Sequence, residues 1–132
     1  MPWNSITRLA LVALSSMAAT AAHAQSSKFS LEYRVERSAT AKLSVDACLE
    51  TAKRASGALG YAPSVENRFP GQLAVFASGP ANGGSSLVVY CIAVDQKTAF
   101  VVQAMDYSRP NSPAAARAAN QVQAALLAAA RR

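Results

Sequence analysis

An apolar segment near the N-terminus decides which residues are available to fold. A basic region is followed by the 14 largely apolar residues 9–22, and small residues occupy Ala22 and Ala24, the two positions that a signal peptidase reads. A helix of that length reaches about 21 Å, short of the roughly 30 Å hydrocarbon core of a bilayer. We therefore predict a cleavable signal peptide over residues 1–24, with Gln25 starting the mature chain; an uncleaved anchor is the alternative.

Removal of this leader bounds the size and charge of the remaining chain. Taking 24 residues from 132 leaves 108, which suits a single domain over residues 25–132. The mature chain has 12 Lys and Arg against 7 Asp and Glu, a net charge of +5. These basic residues are scattered and are not interleaved with aromatic residues, so nucleic acid is not an expected partner. Binding to an anionic surface remains an alternative.

Hydrophobic periodicity predicts five strands and two helices. Residues 29–37 alternate strictly between apolar and polar, which is typical of a half-buried strand with one face toward water. Ser44 is a candidate N-cap for the first helix, and Ser112 with Pro113 is a candidate start for the second. The predicted segments are strands at 29–37, 61–69, 73–78, 87–94 and 99–106, a helix that starts at 45 and is ended by Gly57 or Gly60, and a helix from 113 to about 130.

These segments define the fold class. The order β-α-β-β-β-β-α, with mostly hairpin-linked strands, predicts an α+β fold: an antiparallel sheet of about five strands with two helices packed on one face. Pro63 indicates that the second strand lies at an edge, because proline cannot donate to a ladder. Only the connection between the first two strands needs a crossover.

The two cysteines are expected to form a disulfide. An even number of cysteines in an exported chain favours oxidation. Cys48 lies on the apolar stripe of the first helix, and Cys91 alternates with Leu87 and Val89 on the strand predicted to be central. A helix packed on that face would bring the two cysteines together. A reactive thiol pair and two free buried thiols are the alternatives.

Residue types needed for common catalytic sites are scarce. The only histidine, His23, leaves with the leader, so the mature chain has no imidazole for a catalytic base or for zinc. We expect no metal and no cofactor, and the protein is not expected to be an enzyme. A small hydrolase that uses carboxylates or a Ser/Lys pair is the alternative; Glu32 and Glu36 share the polar face of the first strand, where a solvated charged face is expected.

One loop has residue types that are common in recognition surfaces. It joins the last strand to the last helix and contains Tyr107 and Arg109. We predict a recognition loop there. The alternative is that Tyr107 covers the end of the sheet and Arg109 is solvated.

Several segments also carry a resemblance. The leader, S-L-E-Y-R-V-E-R at 30–37, D-A-C-L-E-T-A at 46–52 and V-V-Y-C-I-A-V-D at 88–95 together resemble a family of small exported bacterial proteins of unknown function. The resemblance covers nearly the whole mature chain, and it implies no activity, cofactor or site residue.

The scarcity of catalytic residues and the leader together favour one functional hypothesis. We predict a periplasmic, or secreted, non-catalytic module that binds an unknown protein or a small ligand, with no stable membrane anchor after cleavage.

Overall fold

The computed structural model describes residues 28–132, which contain five strands and two helices. In chain order they are β1 (Ser30–Ala39), α1 (Val45–Ala58), β2 (Ala62–Phe69), β3 (Leu73–Gly79), β4 (Ser85–Val94), β5 (Lys97–Asp106) and α2 (Pro113–Ala129). The order β-α-β-β-β-β-α is the predicted one. The leader over residues 1–24, with Ala22, Ala24 and Gln25, lies outside the described residues and stays a prediction.

The strands form one antiparallel sheet in the order β1-β5-β4-β3-β2. Consecutive strands from β2 to β5 pair as hairpins, while β1 pairs with β5. β1 and β2 are therefore the two edges, and α1 is the crossover that carries the chain between them. Both helices pack on the same face of the sheet, α1 over β3 and β4 and α2 over β5 and β1. The predicted α+β class is confirmed.

Short polar and conformational signals set the ends of both helices. The Ser44 hydroxyl accepts a hydrogen bond from the backbone N–H of Ala47, and the Ser112 hydroxyl does the same for Ala115. Each serine thus satisfies one of the donors that a helix start leaves free. Gly60, at φ 78°, takes the left-handed conformation that ends α1. Neither of these two helices in residues 28–132 is long and apolar enough to cross a membrane.

The core lies between the sheet and the helices. The Cys48–Cys91 disulfide ties α1 to β4 across this layer, with the two Cα atoms 6.1 Å apart and both residues fully buried. The predicted disulfide is therefore present in the structure. The largest buried neighbours are Leu43, Leu49, Phe76, Leu87, Val89, Phe100, Val102, Val122 and Leu126.

β2 is an edge strand held by charges. All eight of its residues are exposed, and the pairing with β3 is irregular between Pro63 and Val65. The Arg68 guanidinium bonds the Glu50 carboxylate of α1 at 2.6 Å, and the Lys53 ammonium of α1 lies 3.0 Å from the Glu66 carboxylate. Ion pairs on the helix side thus link the strand to α1. Pro63 is tolerated here because an edge strand does not need every backbone N–H for pairing.

β1 faces the opposite way from the prediction. Its apolar residues Leu31, Tyr33 and Val35 are 47%, 62% and 59% exposed, although their alternation predicts a buried apolar face. They lie on the sheet face that has no helix. The expected orientation of this strand is therefore wrong, although its position and length are close to those predicted.

The polar residues of β1 face α2 instead. The Arg34 guanidinium donates to the Asn120 side-chain oxygen at 2.8 Å, and the Gln123 amide donates to the Glu36 carboxylate at 3.1 Å. The buried stripe of α2 is made mostly of alanines, and the helix lies over both β5 and β1. Its flank toward β1 is polar, so the polar face of β1 finds hydrogen-bond partners there and the apolar face points outward.

Candidate functional site

The sheet has a face that no element of the described chain covers, which we call the open sheet face. Successive residues of a strand point to opposite faces, and the strand register identifies which residues share this one. Its apolar members are Leu31, Tyr33, Val35, Val65, Phe69, Leu73, Val75, Ala77, Val88, Tyr90, Ile92, Val94, Ala99, Val101 and Met105. Its polar members are Arg37, Asn67, Ser86, Lys97 and Gln103.

The exposed large apolar residues of residues 28–132 cluster here. Six of the eight lie on the open sheet face, from Leu31 on one edge strand to Phe69 on the other. The other two, Phe29 and Tyr107, flank the paired residues Ser30 and Asp106 and so lie at one end of the sheet. Single exposed apolar residues are ordinary, but a continuous apolar patch across five strands is typical of a surface that contacts something else.

Charge is distributed unequally between the two faces. The strand carboxylates Glu32, Glu36, Glu66 and Asp106 all lie on the helix side by register. The open sheet face has no carboxylate in the described strands, and its charges are the cations Arg37 and Lys97. Its surface is therefore apolar over most of its extent and basic at one place.

Arg37 and Lys97 lie together at one corner. Arg37 pairs across the strands with Ala99, two residues from Lys97, so the two cations are diagonal neighbours. They border a depression of about 930 Å³ where the β4–β5 turn meets the end of β1. Its lining is Val35, Glu36, Arg37, Ala39, Val94, Asp95, Gln96, Lys97 and Ala99. We call this depression the corner pocket; it is of the size that small molecules occupy.

Tyr107 extends the open sheet face at the opposite end. Its hydroxyl lies 3.0 Å from the Ser86 hydroxyl and 3.7 Å from the Met105 sulfur, and both of those residues are on the open sheet face. The ring itself is 56% exposed. Tyr107, predicted from sequence as part of a recognition loop, is thus placed against this surface, while the role of the loop stays a prediction.

The rest of that loop is anchored on the other side of the sheet. The Ser30 hydroxyl donates to the Arg109 carbonyl at 2.9 Å and accepts from the Ser112 backbone N–H at 2.7 Å. Hydrogen bonds from the Ser108 and Ser112 hydroxyls, with the Ser108 backbone N–H, lower the pKa of Asp106 to about 2, and the Arg109 charge adds to this. The Arg109 backbone is therefore held on the helix side of the sheet, whereas the Tyr107 side chain lies against the open sheet face.

The carboxylates considered for catalysis are occupied by structural contacts. Glu32 pairs with Arg34 at 3.1 Å, and Glu36 accepts a hydrogen bond from Gln123 of α2. Hydrogen bonds from Arg68 to Glu50, and from Lys53 to Glu66, lower the pKa values of these two carboxyl groups. In residues 28–132 no three His, Cys, Asp or Glu side chains meet in a way that could hold a metal ion. Glu32 and Glu36 are half-buried on the side of α2, so the face that was expected to be solvated is partly covered by that helix.

Sequence analysis missed the open sheet face, although a signal for it was present. β4 and β5 are apolar on both faces, as in L-V-V-Y-C-I-A-V at 87–94, and antiparallel strands with one wet face should alternate. Two helices can cover only one side of five strands. An excess of apolar residues over what those helices can bury therefore indicates a second apolar face.

Comparison with known proteins gives a family. A model of a family of unknown function, DUF6180, matches residues 28–131. The chain belongs to this family. The resemblance expected from sequence is confirmed in its coarser part, a family of unknown function. None of the curated proteins compared with the chain matches it. The match begins where the described structure begins, so the DUF6180 domain of this chain includes the complete sheet, both helices and the disulfide.

Proposed function

We propose that this DUF6180 protein is an exported, non-catalytic interaction module of the bacterial periplasm that binds a protein surface through its open sheet face. The observation that carries the proposal is the orientation of β1, which turns Leu31, Tyr33 and Val35 outward while its carboxylates lie on the side of α2. Such an arrangement leaves apolar area in water unless a partner covers it.

The compartment is inferred from two independent features. Residues 1–24 have the basic, apolar and small-residue regions of a secretory leader. The Cys48–Cys91 disulfide lies in the domain core, and structural disulfides persist in oxidising compartments such as the periplasm. Each feature supports export without relying on the other.

The non-catalytic part rests on where the reactive groups lie. After the leader the chain has no histidine. Glu32, Glu50 and Glu66 are engaged in ion pairs, and the Ser56 and Ser78 hydroxyls, 2.6 Å apart in the core, bond each other. The residues of the open sheet face are of types that supply contact area, and tyrosine is among the types enriched where binding energy concentrates.

Site-specific cross-linking in cells tests the proposal. A photoreactive phenylalanine analogue at Tyr33, on the open sheet face, should give discrete adducts that mass spectrometry can identify. Adding Tyr90→Lys at the centre of the same face should remove them. The analogue at Gln121, an exposed residue of α2, should give none. Equal adducts from both positions, or none from Tyr33, would contradict the proposal.

The corner pocket supports a second candidate, the binding of a small amphipathic anion. Val35, Val94 and Ala99 offer apolar contacts, and the Arg37 and Lys97 cations can meet an anionic group on the side of the pocket away from the Glu36 and Asp95 carboxylates, which also line it. Unlike Arg34, Lys53 and Arg68, these two cations have no carboxylate within 4.0 Å in the described part of the chain.

A fluorescent anionic amphiphile, anilinonaphthalene sulfonate, tests this second candidate. The double variant Arg37→Gln/Lys97→Gln should raise the Kd about five- to 30-fold, since each of the two exposed charges contributes about 0.5 to 1 kcal/mol. Arg117→Gln/Arg131→Gln removes the same charge from α2 and the C-terminus and is the matched control. The same Kd for both double variants would exclude the pocket as an anion site.

A further inference from the structure

We infer that the occupant of the open sheet face is a second copy of this chain, packed sheet against sheet in a two-fold symmetric dimer. The inference rests on the proposed function and names its partner. In such a dimer the two sheets form the inner layers and the helices of each copy lie outside, so every apolar face of the described elements is covered.

The area of the open sheet face suits a dimer. Five strands spaced about 4.8 Å apart, each with about eight residues rising 3.3 Å, give a footprint of about 600 Å². The accessible area is larger than the footprint because side chains such as Tyr33 and Phe69 stand out from the sheet. Specific protein interfaces bury about 600 to 1,000 Å² on each partner. The face is therefore large enough without help from the helices or loops.

The arrangement of side chains is self-complementary. One row across the sheet reads Val35, Val101, Tyr90, Val75 and Asn67, so Tyr90 of the central strand β4 lies at the middle of the face. A two-fold axis relating two stacked faces lies in the plane between them. An axis through the middle of the face brings Tyr90 of one copy next to Tyr90 of the other.

The charges permit this packing. Arg37 and Lys97 are confined to one corner, and the rest of the face is uncharged. A two-fold axis that runs along the strands places this corner over the edge strand β2 of the other copy. An axis across the strands places it over the opposite strand end. In both cases the two basic corners lie apart, at the rim, where charges remain solvated.

Sedimentation equilibrium between about 1 and 100 µM tests the inference, with the protein expressed from its full sequence and its disulfide oxidised. The wild-type protein should reach the mass of two mature chains. Tyr90→Lys should weaken the dimer about 30-fold or more, because it places two like charges at a desolvated centre. Gln121→Lys, the same change in charge on the exposed side of α2, should not alter the Kd.

Mixing variants identifies which faces meet. Tyr90→Glu alone should weaken the dimer as Tyr90→Lys does, but an equimolar mixture of Tyr90→Lys and Tyr90→Glu should associate more tightly than either variant alone, since opposite charges then meet across the axis. Circular dichroism checks that each variant folds. If Tyr90→Lys does not fold, Tyr33→Lys replaces it, because that side chain is 62% exposed and its substitution leaves the core intact.

Each contrary outcome has a distinct meaning. A dimer that is unaffected by Tyr90→Lys forms through another surface, and the inference is wrong. The inference of a second copy is also wrong if the wild-type protein is a monomer at 100 µM and Tyr33 cross-links to a different protein, to lipid or to residues 1–24. If Tyr33 cross-links to a different protein, the proposed function still stands. A monomer that gives no cross-links contradicts both.

Discussion

The helix-covered face and the open face of the sheet are built from the same strands, yet only the first has a partner within the chain. On the covered face Phe100 and Val102 of β5 are fully buried, and on the open face their neighbour Val101 is only partly so. Both faces are apolar. The two faces differ in how much apolar helix surface is available to cover them, because two helices can cover only one side of a five-stranded sheet.

The comparison shows what decides the orientation of a strand. Burial of the apolar face of β1 would contribute more hydrophobic stabilisation than burial of its polar face. The part of α2 that lies over β1 is polar, however, and presents Asn120 and Gln123. Buried polar groups without partners cost more than exposed apolar ones. The strand therefore turns Glu32, Arg34 and Glu36 toward α2, and its apolar residues remain for contact outside the fold.

The largest expected effect is on the disulfide that holds the covered face. Replacing both cysteines, Cys48→Ala/Cys91→Ala, should lower the free energy of unfolding by about 4 kcal/mol, from the chain entropy of a link with a sequence separation of 43 residues. Urea unfolding of the double variant measures this. Reduced wild-type protein should match the double variant, and equal stability of oxidised and reduced protein would contradict the prediction.

A matched pair of valines compares the two faces directly. Val102→Ala removes two methyl groups from a fully buried site and should cost about 2 to 3 kcal/mol of stability. Val101→Ala, one residue earlier on the open sheet face, should cost less than about 1 kcal/mol when measured below the dimer Kd. Above that concentration its cost should rise, because burial by a second copy adds to it. Equal costs at low concentration would mean that the open face is covered within one chain.

The polar contact between β1 and α2 should contribute less. A double-mutant cycle of Arg34→Ala and Asn120→Ala should give a coupling of about 0.5 to 1 kcal/mol, typical of a partly exposed hydrogen bond. Arg37→Ala is the matched control, since it removes the same residue type from the same strand but from the other face. Its coupling to Asn120→Ala should be near zero, and a similar coupling for both arginines would place them on one face.

Local signals in the sequence predicted most of the fold. The serine caps, Pro63 at an edge and the two cysteines each report on their immediate surroundings, and the structure bears them out. The strand order β1-β5-β4-β3-β2 and the orientation of β1 depend on which helix covers which strand. Which strand a helix covers depends on where the apolar stripe of α2 ends and its polar flank begins. Alternation along a single strand carries no information about this. For the same reason the open sheet face was missed, while Tyr107 at its end was found from residue type.

The last prediction concerns Asp106, at the helix-covered end of β5. Its pKa falls from 3.8 to about 2 in the folded protein because the Ser108 and Ser112 hydroxyls and the Ser108 N–H donate to it. The folded state then binds fewer protons than the unfolded state between these values, so the contribution of Asp106 to stability is complete above about pH 4 and is lost as the pH falls through about 2.

Urea unfolding should show Asp106→Asn less stable than wild type at pH 5, with the difference shrinking toward pH 2. Asp95→Asn removes the same charge from the β4–β5 turn, so a mere effect of net charge would appear in both variants. A difference between wild type and Asp106→Asn that stays constant from pH 5 to pH 2 would mean that the serine contacts do not favour the ionised carboxylate.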